Sequence, residues 1–325
     1  MTLDDNYLSE LFQAISQAHT ALRPQVAVTP LTHSVTLSAQ SGCEVYLKCE
    51  HLQHTGSFKF RGASNKLRLL SAAQRERGVI TASSGNHGQG VALAGRMLGV
   101  PVTVYTASSA SAYKLEAMRA LGAKVVTLDT DPLSVELEAA RQAHLQDLPF
   151  ISPYNDTEII AGQGTIGMEL FEQLPDLDAV FVAVGGGGMI SGIGTALRHL
   201  KPSIEIIGCW PANAPTLQRS LEVGEIIEMQ EQDTLSDGTA GGVEPGSITF
   251  PLCQRLLDRT VLVSEAEIRQ AMRDTASAER WIIEGAAGVA LAGMQKLAAD
   301  FRGKRVAVVL CGRNIVLEKF LGAVQ

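Results

Sequence analysis

The strongest constraint on this chain is a recurrence: apolar runs of strand length alternate with helix-patterned stretches. "VYLKCE" (45–50), "GVITA" (78–82), "VPVTVYT" (100–106) and "AKVVTLD" (123–129) are short and bounded by turn residues. "DAVFVAVGGGG" (178–188), "IEIIGCW" (204–210) and "KRVAVVLCG" (304–312) repeat the pattern later in the chain. Between the early runs lie "NHGQGVALAGRMLG" and "SAYKLEAMRALG", which read as helices. Strands alternating with helices of this length imply βαβ units, with mostly parallel sheets covered by helices on both faces. An α/β fold is therefore expected. At 325 residues the chain is long enough for two domains. Residues 70–151 form a βαβαβα block of their own and are expected to be the smaller domain, inserted into a larger one made of 1–69 and 152–325.

Charge and cysteine usage remove several classes of function. The net charge of −7 argues against nucleic acid or an anionic membrane as partner, because both call for a basic face. No apolar run reaches the 18 residues of a membrane span, and the acidic, polar start "MTLDDNYLSE" is unlike a secretory signal. The five cysteines are odd in number and include no CxxC pair. This suggests reduced thiols in a cytoplasm rather than a disulfide framework or a zinc site.

Four stretches carry chemistry. The run 179–184 leads straight into Gly185, Gly186, Gly187 and Gly188 and then the helical "MISGIGTALRHL". Glycines at a strand-to-helix turn let backbone N–H groups converge, and the helix adds its positive end, so this is a candidate phosphate cradle. A tight turn with close packing is the plainer reading. A GxGxxG match at Gly162, Gly164 and Gly167 lacks the preceding strand that a dinucleotide site requires. It follows the polar "PYNDTEII", whose Asn155 and Asp156 are placed to cap a helix, so close helix packing is expected of it. "TASSGNHGQG" (81–90) is a second strand-to-helix turn. Its Ser83, Ser84, Gly85, Asn86 and His87 could ring a carboxylate, or could simply cap the helix. Finally, "HTGSFKFRGA" (54–63) sets Lys59 between two phenylalanines at a helix start. A lysine that packs its stem and snorkels is the ordinary case, whereas burial and a helix dipole would lower its pKa and free the amine. A phosphate cradle, a carboxylate cradle and a free amine are together what pyridoxal phosphate chemistry needs.

The chain resembles the β-family, or fold-type II, pyridoxal-phosphate enzymes in their threonine/serine dehydratase and serine racemase branch. The motifs "GSFKFRGA", "SSGNHGQG", "IAGQGTIGMEL", "GGGGMISG", "LSDGTAGG", "VLVSEAEI", "IIEGAAG" and "CGRN" occur in the expected order. "DGTAGGVEPGSITF" and "CGRNI" are similar in detail to the hydroxyectoine-utilisation dehydratases. The resemblance implies a two-domain, tryptophan synthase β-like fold and a homodimer acting on an amino acid. It implies that Lys59 carries the cofactor and moves the Cα proton, with Phe58 packed beside the ring and Asn86 bonded to its 3-oxygen. Gly185 to Gly188 and Met189 would hold the phosphate, Cys311 would face the pyridine nitrogen, and Glu284 would lie near the ring. Ser83, Ser84, Gly85, Asn86, His87 and Gly238 would hold the substrate. Ser84 stands where the racemases keep a second base.

Three departures qualify the resemblance. Trp210 and Thr216 occupy places where relatives often carry acidic cation ligands, so no metal is expected. Arg313 stands where a glycine is common; it would recognise an extra substrate carboxylate or point to solvent, with solvent favoured. The chain ends soon after "CGRN", so control through a further regulatory domain is not expected. The expected activity is dehydration and deamination of a hydroxy amino acid such as L-threonine or L-serine. An amino-acid racemase is the alternative within the fold. A non-catalytic pyridoxal-phosphate-binding protein is the alternative of another class, and a nicotinamide oxidoreductase would rest only on Gly162 to Gly167.

Overall fold

The computed structural model describes residues 5–130 and 132–325, leaving aside the side chains of residues 132 and 133. Among the described residues nine strands sort into two sheets. They are β1 (Leu31–His33), β2 (Glu44–Lys48), β3 (Val79–Ala82), β4 (Val102–Ala107), β5 (Lys124–Leu128), β6 (Ala179–Ala183), β7 (Glu205–Pro211), β8 (Arg259–Val263) and β9 (Arg305–Val309). The six-stranded sheet has the order β1-β2-β9-β6-β7-β8, and the three-stranded sheet the order β3-β4-β5. Every pairing is parallel except β1 with β2, where Leu31 lies opposite Lys48. The α/β architecture expected from the alternation is thus present. Strands β1 and β8 are additions: both are edge strands and half-exposed, so neither has the continuous apolar run that marks a strand buried on both faces. The three-stranded sheet falls wholly within residues 70–151.

One apolar core surrounds the larger sheet, with Val180, Phe181 and Val182 of β6 and Ala307 and Val308 of β9 fully buried. A second core packs Phe60 and Leu67 of the helix Lys59–Leu69 against Val91 of the helix Asn86–Leu98 and Val102 and Val104 of β4. The two phenylalanines around Lys59 therefore have different roles. Phe60 is buried in this second core, while Phe58 stays beside the amine.

The helix Thr157–Gln173 is capped by Asp156, whose carboxylate accepts from the backbone N–H of Glu158 (2.9 Å) and Ile159 (3.0 Å). The GxGxxG glycines lie inside this helix, with no strand before them. A Cβ on Gly162 would sit 2.6 Å from Gly62 Cα, and one on Gly167 would sit 2.9 Å from Ala196 Cβ. They are there for close helix packing, as the missing strand implied.

A buried charge cluster pins the first turn of the lysine helix. Arg61 donates from Nε to Glu50 Oε2 (2.8 Å) and from Nη1 to Glu169 Oε1 (2.7 Å). Lys48 donates to Glu169 Oε2 (2.6 Å). All four side chains are at most 1% exposed, so each charge is neutralised by direct contact. The cluster ties the start of the helix Lys59–Leu69 to β2 and to the helix Thr157–Gln173.

Candidate active site

A cavity of about 310 Å³ opens where the C-terminal end of β6 meets the turns after β3 and β4. Ligands of open parallel sheets bind outside the carboxyl ends of the strands, so the position is the one such a fold favours. The cavity wall gathers all the residues expected to hold cofactor and substrate. Phe58, Lys59, Ser83, Ser84, Gly85, Asn86, His87, Gly185, Gly186, Gly187, Gly188, Met189, Gly238, Glu284 and Cys311 line it. Arg313 does not; it is exposed, with its stem beside Gly56.

Lys59 begins its helix on the cavity floor. Its amine donates to the carbonyl of Pro153 (2.8 Å) and lies 5.2 Å from the centre of the Phe58 ring. The side chain lines the cavity, and burial lowers its pKa to about 8 despite the opposing pull of Cys311, Glu136 and Glu284. About a tenth of the amine is therefore unprotonated at pH 7, far more than for a lysine in water. This supplies the reason to set aside the snorkelling reading.

The tetraglycine turn runs between β6 and the helix Gly188–Leu200, with Gly187 in the left-handed region at φ 86°. A Cβ on Gly186 would fall 2.5 Å from the ring of Tyr154, and one on Gly188 would fall 3.0 Å from that residue's backbone. Only glycine fits between Tyr154 and the turn. The helix start contributes N–H groups that have no partner within the helix.

The facing turn, after β3, begins the helix Asn86–Leu98 at Gly85. Ser83 Oγ accepts from the N–H of Gly85 (3.1 Å), and Ser84 is exposed to the cavity mouth. His87 is buried with Nε2 against the carbonyl of Ile151 (3.1 Å), and burial pulls its pKa down to about 3. It is a neutral ring, whose Nδ1 is buried without a protein partner. Asn86 belongs to a closed ring of hydrogen bonds. Its Nδ2 donates to Glu284 Oε1 (2.8 Å), its Oδ1 accepts from Asn314 Nδ2 (2.6 Å), and the Asn314 N–H donates to Glu284 Oε2 (3.0 Å). The ring fixes which way the Asn86 amide faces, leaving one Nδ2 hydrogen for a ligand. Burial raises Glu284 to about 7 and holds the Cys311 thiol well above its ordinary value, so the thiol is neutral.

Several lining residues were not evident from sequence. Tyr154 read as part of a capping segment, Lys114 as an ordinary helix residue, and Glu136 drew no reading; all three line the cavity. Asn314 lies within "CGRN", but its bond to Asn86 spans 228 residues of sequence. Trp210 is buried at the end of β7, and the Thr216 hydroxyl donates to Glu231 (2.5 Å). Among the described residues, no group of three or more His, Cys, Asp or Glu is placed to hold a metal ion. Nor is any helix there long and apolar enough to cross a membrane.

Comparison with known proteins agrees with this geometry. The family described as "Pyridoxal-phosphate dependent enzyme" matches residues 22–312. An L-threonine ammonia-lyase of Thermotoga maritima is 42% identical over 93% of this chain and 75% of its own length. An L-threo-3-hydroxyaspartate ammonia-lyase of a Pseudomonas species is 39% identical over 90% of this chain and 91% of its own. The structure of maize serine racemase superposes with a TM-score of 0.90 at 30% identity, covering 96% of both chains.

Proposed function

Because the chain belongs to the pyridoxal-phosphate dependent enzymes, we propose that it eliminates water from a β-hydroxy amino acid such as L-threonine or L-serine, and that the released enamine, as its imine, takes up water and gives off ammonia to leave a 2-oxo acid. It is a pyridoxal-phosphate ammonia-lyase; the substrate, the roles of individual residues and the cellular setting are the proposal. The observation that carries it is a pKa-lowered lysine amine in one cavity with a glycine turn that admits no side chain.

The residues present fit pyridoxal phosphate. Gly185 to Gly188 and Met189 would receive the phosphate through backbone N–H groups. Asn86, its amide held by Glu284 and Asn314, would donate its free hydrogen to the ring's 3-oxygen. Phe58 would pack beside the ring, and Cys311 would offer the pyridine nitrogen a neutral thiol. When bound there, the cofactor supplies an aldehyde and an electron-withdrawing ring that acidify the substrate's Cα–H. Ser83 to His87 and Gly238 would hold the substrate, with the α-carboxylate at the start of the helix Asn86–Leu98. Lys59 Nζ, free of its own proton, would take the one from Cα. The neutral ring of His87 would bind without competing for that proton.

The reading divides the chain into a larger unit of 1–69 and 152–325 and a smaller one of 70–151, supported by the sorting of strands into two sheets. The five cysteines are free and buried, which supports a cytoplasmic setting. A homodimer follows from the family resemblance, as does a place in hydroxyectoine breakdown from "DGTAGGVEPGSITF" and "CGRNI". A second reading, racemisation, is favoured by Ser84, whose position at the cavity mouth allows it to serve as a second base.

The protein should be yellow as purified, and borohydride should fix the cofactor to one peptide containing Lys59. Lys59→Ala should abolish ammonia release from L-threonine and L-serine. A borohydride label on any other lysine would refute the assignment. D-serine formation outpacing ammonia release would favour the racemase.

A further inference from the structure

Lys114 and Asp237 face each other across the mouth of the cavity. Lys114 projects from the helix Ala112–Ala120, and Asp237 from the segment leading to Gly238. Lys114 Nζ donates to Asp237 Oδ2 at 2.8 Å. The same amine would lie 3.5 Å from a Cβ on Gly85, so it stands beside the carboxylate-binding turn. The two partners differ in freedom: the Lys114 side chain is 16% exposed and that of Asp237 is 50% exposed. Asp237 can turn into water at little cost, whereas the lysine stays at the cavity wall.

We infer that Lys114 lets this site accept a β-hydroxy amino acid with a second carboxylate on its side chain, the substrate's anionic group replacing Asp237 on the ammonium. The inference rests on the elimination reading above and names a substrate class for it. One carboxylate, common to every amino acid, is already provided for by Ser83 to His87 and the helix start behind them. Lys114 adds a cation to one side of that turn, tied to the opposite wall by a replaceable partner. A methyl or hydroxymethyl side chain has nothing to offer the ammonium and leaves the Lys114–Asp237 pair closed. A side-chain carboxylate exchanges one ion pair for another and frees Asp237 to hydrate. The acids elsewhere on the wall, Glu136 and Glu284, are held partly protonated near neutral pH by burial, which softens their repulsion of a dianionic ligand.

The test compares kcat and KM for L-threonine and L-threo-3-hydroxyaspartate in the parent holoenzyme and in Lys114→Gln, Lys114→Arg and Asp237→Asn. Lys114→Gln should lower the hydroxyaspartate-to-threonine ratio of kcat/KM about tenfold or more, the scale of a lost charge-assisted hydrogen bond, with the change carried by KM for hydroxyaspartate. Lys114→Arg should restore most of it. Asp237→Asn, which leaves the ammonium without its competitor, should move the ratio the other way. This variant keeps the inference testable even if Lys114→Gln folds poorly. Equal losses on both substrates would place Lys114 on the shared α-carboxylate and overturn the inference, as would an unchanged ratio in Asp237→Asn. A parent that releases ammonia from neither substrate overturns the elimination reading and this inference with it.

Discussion

Single residues show both what the sequence reveals and what it conceals. Lys59 and the tetraglycine turn were legible because each lies in a contiguous motif whose chemistry is local. The partners that tune them were not: Pro153 meets the lysine from 94 residues away, and Glu284 meets Asn86 from 198. Glu284 also makes a clear case of pH linkage. Burial raises its carboxyl from 4.5 to about 7, so the folded state holds the proton longer than the unfolded chain does. Its ionisation therefore disfavours folding. The effect is absent below about pH 4.5 and full above about pH 7, where it is on the order of 3 kcal/mol. Glu284→Gln cannot ionise and sacrifices one hydrogen bond instead. The variant should melt below the parent at pH 5, and the gap should narrow or reverse by pH 8. Thermal melts at the two pH values check this; parallel shifts would contradict it.

Most strands were legible as short apolar runs, the exposed edge strand β5 among them. Strands β3, β4, β6, β7 and β9 announce themselves as apolar runs, while the three-residue β1 and the half-exposed β8 do not. Helix contacts were partly legible through glycine. The helices Lys59–Leu69 and Thr157–Gln173 approach so closely that a Cβ on Gly162 would meet Gly62 Cα at 2.6 Å and the Arg61 carbonyl at 2.7 Å. Gly162→Ala must push the helices apart, at a cost of about 1–3 kcal/mol. Because the displaced helix carries Lys59, the variant should also bind cofactor more weakly. Urea unfolding midpoints and cofactor titration would show both effects. The end of β7 and the helix start beyond it give a prediction of their own. Trp210 and Thr216 cannot serve in place of carboxylates around a hard cation, which seeks several oxygen ligands. Turnover should survive exhaustive chelation; its loss and recovery with magnesium would overturn this.

Across the whole molecule, the α/β class was readable from the alternation, but the order of strands was not, because it depends on pairings between distant segments. The charge cluster of Lys48, Glu50, Arg61 and Glu169 was equally hidden, since charged residues in a sequence give no sign that they will be buried together. Arg61→Met would leave two buried carboxylates short of a partner and should cost about 3–5 kcal/mol. Removing the exposed pair of Arg77 and Asp147 should leave the midpoint nearly unchanged, because both charges are already solvated. Denaturation midpoints of the two variants, measured side by side, would separate these cases.

Strand β9 lies between β2 and β6 in the larger sheet, although it comes after both in the chain. During synthesis on the ribosome, residues 44–48 and 179–183 must therefore emerge with a slot left open between them. Cys311 and Asn314 follow that strand directly, so the nascent chain lacks the last wall of its cavity until residues 305–314 have emerged. A chain cut short before residue 305 would display two unpaired apolar strand edges, the kind of surface that recruits chaperones and proteases. Late arrival of the central strand thus makes synthesis through residue 314 a condition for cofactor capture, and products cut short of it would carry their own exposed edges as a mark for disposal.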